Sequence, residues 1–123
     1  MRMSTREFQQ VATEALAMIP AEFRPHLDNV QIVIEDDPSD ELLDELGVPP
    51  DETIFGLYTG TPLTERTSDF DGLPDCITIY RGPLLDEFTD RAELRREIAR
   101  TVIHEVAHHF GIEDDRLAEL GWD

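Results

Sequence analysis

The sequence predicts an α+β or mixed α/β domain with a small sheet and one long helix. Three observations predict it. Apolar residues recur at helical spacing after Ser4 and again after Asp90. Period-two alternation marks Val30–Glu35 and Cys76–Tyr80 as strands. The length, 123 residues with 40% hydrophobic and 31% charged, suits a single domain over residues 1–123 with a modest core.

The elements follow in order. Ser4 and Glu7 have the form of a capping box, and Phe8, Val11, Ala12, Ala15, Leu16 and Ile19 follow on one helical face. Pro20 and Pro25 end that helix and mark a turn. In the first strand Val30, Ile32 and Ile34 share a face. Asp37-Pro38 reads as an N-cap and first-turn proline for a short acidic helix that Gly47 stops. Thr53–Thr59 reads as a strand, weakened by Gly56, and 60–74 as a long polar connection. Gly82-Pro83 is expected to terminate the strand at Cys76–Tyr80. Asp90 and Glu93 open the long helix, Gly111 stops it after Phe110, and a last short helix is expected over Asp115–Leu120. The expected order is α-β-α-β-β-α-α.

Composition narrows the partners. Ten basic against 28 acidic residues give a net charge of −18. A field of that sign repels phosphate backbones and anionic lipid surfaces, so neither nucleic acid nor a membrane is an expected partner. All ten basic residues are Arg, and without a lysine there is no Schiff-base chemistry. No apolar run is long enough to span a bilayer, and the polar stretch Met1–Gln10 does not read as a secretory signal. One cysteine, Cys76, excludes an intrachain disulfide. These features lead to an expectation of a cytoplasmic protein; they leave its oligomeric state open.

The chemistry concentrates on the long helix, which reads His104-Glu105-Val106-Ala107-His108-His109-Phe110-Gly111-Ile112-Glu113-Asp114. This is H-E-x-x-H followed by x-x-G-x-x-D. His104 and His108 lie one turn apart on one face, so their imidazoles can share one metal ion. Glu105 can reach a metal-bound water without itself being a ligand. Gly111 allows a sharp reversal that brings Asp114, or else its neighbours Glu113 and Asp115, back toward the metal. Asp115 otherwise suits an N-cap. Two histidines, one carboxylate and an open fourth position make a catalytic shell. Leu94, Ile98, Ala99, Val102, Ile103, Val106, Ala107 and Phe110 form the apolar face opposite the histidines. His109 points toward that face and is expected to be a hydrogen-bonded residue of the core or one that supports a metal ligand from behind.

The segment resembles the zincin metallopeptidases in their H-E-x-x-H-x-x-G-x-x-D variant. The chain as a whole resembles the minimal zincin-like bacterial proteins. Gly56-Leu57-Tyr58, Pro62-Leu63-Thr64-Glu65-Arg66 and Ile77-Thr78-Ile79-Tyr80-Arg81-Gly82-Pro83 carry the likeness beyond the helix. The resemblance implies zinc (Zn2+) at His104, His108 and Asp114, Glu105 as general base, and a small mixed sheet packed on the active-site helix. The expected partner is a peptide or protein substrate, which a strand edge could align. The alternative expectation is a catalytically weak or inactive zincin-like domain that serves as a protein-interaction module. The methionine turn of the larger metzincins is missing, since the last methionine is Met18. Side-chain pockets for a substrate are therefore expected to be few.

Other residues receive simpler readings. Tyr58 and Tyr80 are expected to pack, and Arg66 and Arg81 to form surface ion pairs. Cys76 is expected as a small buried residue and Trp122 as a packing anchor. Asp69, Asp71 and Asp75 lack the spacing of a calcium loop.

Overall fold

A computed structural model describes residues 2–60 and 75–123. The first helix, α1, spans Thr5–Ala17, and the Ser4 hydroxyl accepts from the Glu7 N–H at 3.1 Å, as the cap signal requires. Instead of a plain turn, Ala21–Leu27 forms a 3-10 helix with Pro25 inside it and Phe23 buried beneath. Strand β1 is Val30–Glu35 and the short helix α2 is Asp40–Glu45. Its N-cap is Ser39, whose hydroxyl accepts from Leu42 N–H, and not Asp37. The chain continues through β2 (Gly56–Thr59), β3 (Asp75–Tyr80), α3 (Arg81–Glu87), α4 (Arg91–Phe110) and α5 (Asp114–Glu119). The expected strand at Thr53–Thr59 thus shortens to four residues.

Helix α3 is the α-helix that the sequence reading lacked. Gly82-Pro83 does end the strand, but it does so inside the first turn of a helix. A first-turn proline loses an N–H that has no intrahelical partner anyway. Gly82 is glycine for a different reason: the exit of β1 crosses here. Its N–H donates to the Asp36 carbonyl at 2.7 Å, and a Cβ would collide with the Asp37 carboxylate. That crossing also explains why Asp37 is not the cap of α2.

The sheet runs β1-β3-β2, with β1 parallel and β2 antiparallel to the central β3. Ile77 and Ile79 of β3 are fully buried. Helix α4 packs against α1, β2, β3 and the 3-10 helix. Its buried stripe is Leu94, Ile98, Ala99, Val102, Ile103, Val106 and Ala107, each no more than 2% exposed. Phe8, Val11, Ala12 and Ala15 of α1 complete the core. Phe110 departs from the expected apolar face and is 44% exposed. Among the described residues no helix is long and apolar enough to cross a membrane.

Two glycines control how α4 meets its neighbours. Gly111 ends the helix at φ 71°, and a Cβ there would touch nothing. Gly56 of β2 lies opposite Ile79, on the sheet face that meets α4. A Cβ at Gly56 would stand 2.7 Å from Thr101 Cγ2 and 3.0 Å from the Thr78 carbonyl oxygen. These environments predict different costs. Gly111→Ala should lose about 1 kcal/mol, all of it conformational. Gly56→Ala should lose about 1–3 kcal/mol through overpacking, and Thr101→Ala should recover part of that loss. Urea denaturation of the two single variants and the Gly56→Ala/Thr101→Ala pair checks both values.

Candidate metal and active site

Helix α4 carries His104 and His108 on the side away from its buried stripe and Glu105 at the edge of that stripe: Val106 and Ala107 are buried, His104 and Glu105 half-buried, His108 exposed. The left-handed turn at Gly111 follows, stabilised by Ile112 N–H donating to the Ala107 carbonyl at 2.8 Å. The chain then folds back into α5. Its N-cap is Glu113, without a side-chain cap bond, so Asp114 and Asp115 both sit in its first turn. Asp115 is therefore not the cap that the sequence suggests. Beside the reversal lies an open cavity of about 550 Å³ whose lining includes His104, Glu105, His108, Gly111, Glu113 and Asp114. All four residues singled out in the sequence border this one space, together with Glu113; Asp115 does not line it.

Helix α5 is tied down from outside. The Arg116 guanidinium binds the Glu22 carboxylate through two nitrogens, with Nε at 3.0 Å, and Glu119 through a third contact at 2.7 Å. The bond from Arg116 holds the Glu22 carboxyl below the usual range. Both partners are exposed, so salt screens this tie.

Glu105 is held by main chain. Its Oε1 accepts from the Tyr58 N–H of β2 at 2.8 Å. The lack of a side chain at Gly56, two residues earlier, is what lets β2 come this close to α4. The Tyr58 ring stacks on His109 with centroids 3.9 Å apart, and its hydroxyl donates to Asp75 at 2.6 Å. Tyr58 pairs with Ile77 in the sheet, so Asp75 is its diagonal neighbour on the same face. His109 is thus an exposed stacking partner at the rim and not a core residue. Phe110 joins the same aromatic group, edge-on to Tyr58 and 4.5 Å from the His26 ring.

His104 also has a partner. Its Nε2 lies 2.6 Å from the Trp122 carbonyl oxygen. A carbonyl only accepts, so Nε2 carries the proton in this arrangement.

The donors near the cavity suit zinc in kind: two imidazoles and a carboxylate. They are not assembled into a closed set. Among the described residues no three His, Cys, Asp or Glu side chains come together in a way that could hold one ion.

The remaining candidates are settled by their surroundings. Tyr80 is 3% exposed in the interior, where burial, with Glu35 and Cys76 adding to it, pushes its phenol pKa up. Arg81 pairs with Asp36 at 3.0 Å, as expected. Cys76 is half-buried, with its sulfur 3.9 Å from the Thr78 hydroxyl, and not fully enclosed. Trp122 is an anchor, 8% exposed. Arg66, Asp69, Asp71 and the stretch Pro62–Arg66 lie outside the described residues. Sequence reasoning missed the roles of the Tyr58 amide and the Trp122 carbonyl. Both are backbone atoms, which leave no mark on residue identity.

The chain is similar to a solved structure described as a conserved hypothetical protein from Thermus thermophilus. The identity is 21%, the TM-score 0.57, and the match covers 98% of this chain and 100% of the other. That likeness concerns the fold. No curated protein matches the chain. The family model for zincin-like metallopeptidases matches residues 27–122, from just before β1 through α5 to Trp122. The chain belongs to the zincin-like metallopeptidase family.

Proposed function

We propose that the protein is a zinc-dependent peptide hydrolase in which His104, His108 and Asp114 hold the metal and Glu105 is the general base. One observation carries this reading: a single cavity is lined by all four of these residues at the end of α4. Bound zinc would polarise a scissile carbonyl and supply a water of lowered pKa. The protein's own residues do the rest. Glu105 accepts a proton at a carboxylate oxygen and delivers it to the leaving amine. Its hold on the Tyr58 amide sets the position from which it acts. β2 lies at the edge of the sheet, and apart from the Tyr58 N–H that Glu105 holds, its outward main chain can pair with an extended peptide. The rim of Tyr58, His109 and Phe110 gives that peptide an aromatic surface. The net charge of −18 favours basic and neutral peptides over acidic ones, with a dependence on salt.

The ligand assignment predicts one zinc per chain. Asp114→Ala should lose most of the affinity and Asp115→Ala little, because Asp115 does not line the cavity. Elemental analysis and calorimetric titration after metal stripping check this, and equal losses in the two variants would contradict the assignment.

The role of Glu105 predicts a separation of binding from turnover. Glu105→Gln keeps the side-chain shape and all three ligands, so zinc content should hold while peptide cleavage falls by about 10² or more. The measurement is cleavage of a peptide library by wild type and variant at matched zinc occupancy. Absence of cleavage in both, with zinc loaded, would favour a protein-interaction module instead.

A further inference from the structure

We propose that Arg100 binds one carboxylate of the substrate, in a groove that extends the catalytic cavity along α4. The proposal rests on the reading of His104 and Glu105 as part of the reacting centre. A second open cavity, of about 340 Å³, lies between α4 and the chain entering β2. Its lining includes Ile54, Phe55, Glu97, Arg100, His104 and Glu105. His104 and Glu105 also line the cavity at Gly111. The two spaces therefore meet at this pair, one leading toward Arg100 and the other toward Gly111. A substrate lying across the pair has room on both sides of the bond to be cut.

Helix spacing sets how far the Arg100 side reaches. Glu97, Arg100, His104 and His108 follow one another at intervals of three or four residues and so share one face. Arg100 precedes His104 by one turn, about 6 Å along the axis. An extended peptide following the groove advances about 3.4 Å per residue, so Arg100 is level with a substrate residue about two positions from the scissile bond. The facing wall is fixed by the sheet. The Phe55 carbonyl accepts from the Tyr80 N–H at 2.9 Å, and the Phe55 ring centroid lies 5.7 Å from that of Phe88.

The Arg100 guanidinium is open to a ligand. Its side chain is 45% exposed, and among the described residues its ionic contact is to Glu97 at 3.7 Å. That separation is too long for a hydrogen bond. Arg81 and Arg116, away from this groove, each hold a carboxylate at 3.0 Å. Glu97, whose side chain is 18% exposed, thus keeps Arg100 beside the groove without using up its donors. A planar guanidinium in that state takes a carboxylate through two parallel bonds. The ligand is a single carboxylate, either an acidic side chain near the scissile bond or a free C-terminus just beyond it. The net charge of −18 still opposes peptides that carry several.

The test uses the full chain carrying Glu105→Gln and loaded with zinc, so that peptides bind without being cleaved. The probes are alanine pentapeptides with a central Glu or Gln, each with a free or an amidated C-terminus and a neutral fluorophore at the N-terminus. Binding is read by fluorescence anisotropy, zinc content is measured on the same samples, and circular dichroism confirms the fold of each variant. A probe with the carboxylate should bind about three- to tenfold more tightly than its amide counterpart, the factor for one charge-assisted bond at a half-exposed site. The Glu/Gln comparison reports a side chain, and the acid/amide comparison a C-terminus. Adding Arg100→Met should abolish the preference, Arg100→Lys should retain only part of it, and Glu97→Gln should increase it. Equal binding of acid and amide probes, or a preference that survives Arg100→Met, would overturn the role of Arg100 while leaving the zinc site intact. Zinc uptake without binding of any probe would overturn the peptide groove. Failure to take up zinc would overturn the metal reading and this inference with it.

Discussion

Burial of the α4 stripe sets the rotation of that helix about its own axis, and the site depends on that rotation. Leu94, Ile98, Val102, Ile103 and Val106 are fully buried. Removing five such side chains from water is worth on the order of 10 kcal/mol. A rotation by one residue, about 100°, would forfeit much of that. The polar residues of the helix therefore have no freedom of direction: once the stripe is sealed, His104, Glu105 and His108 face the turn at Gly111. Gly56 acts on the same contact from the other side, since its missing side chain lets the edge strand reach Glu105.

Both reactive side chains of α4 rest on main-chain atoms, Glu105 on the Tyr58 amide and His104 on the Trp122 carbonyl. Each such bond contributes about 1 kcal/mol net. Zinc binding at a structural protein site is worth about ten times as much. The proposed zinc would outweigh either contact, while the surrounding core, with its much larger burial energy, would stay unchanged. The acidic surface works in the same direction for any cationic ligand, by raising its local concentration.

Much of this is legible in the sequence because it is written in side chains. Ser4 and Asp90 cap the helices that their signals mark, and Gly47 and Gly111 take the left-handed turns that stop α2 and α4. The spacing of His104, Glu105, His108 and Asp114 translates directly into one cavity. The departures arise where a neighbour overrides a local signal. Asp37 looks like a cap, but the crossing of β1 with Gly82 leaves that role to Ser39. Gly82-Pro83 looks like a stop, but it serves close approach and a first turn. His109 and Phe110 follow the helical period of the core yet lie beyond its end, where Tyr58 and His26 receive them. The contacts to Glu105 and His104 are invisible in the sequence because nearly every residue carries the same amide and carbonyl.

The central claim is that two imidazoles and one carboxylate at the end of α4 form the metal centre. Zinc-edge X-ray absorption of the protein, stripped and reloaded with one equivalent of zinc, tests it most directly. The account predicts a first shell of nitrogen and oxygen only, at about 2.0–2.1 Å, with the outer-shell scattering of two imidazole rings. A sulfur neighbour at about 2.3 Å, which would point to Cys76, or a shell of oxygen without imidazole scattering, would contradict it.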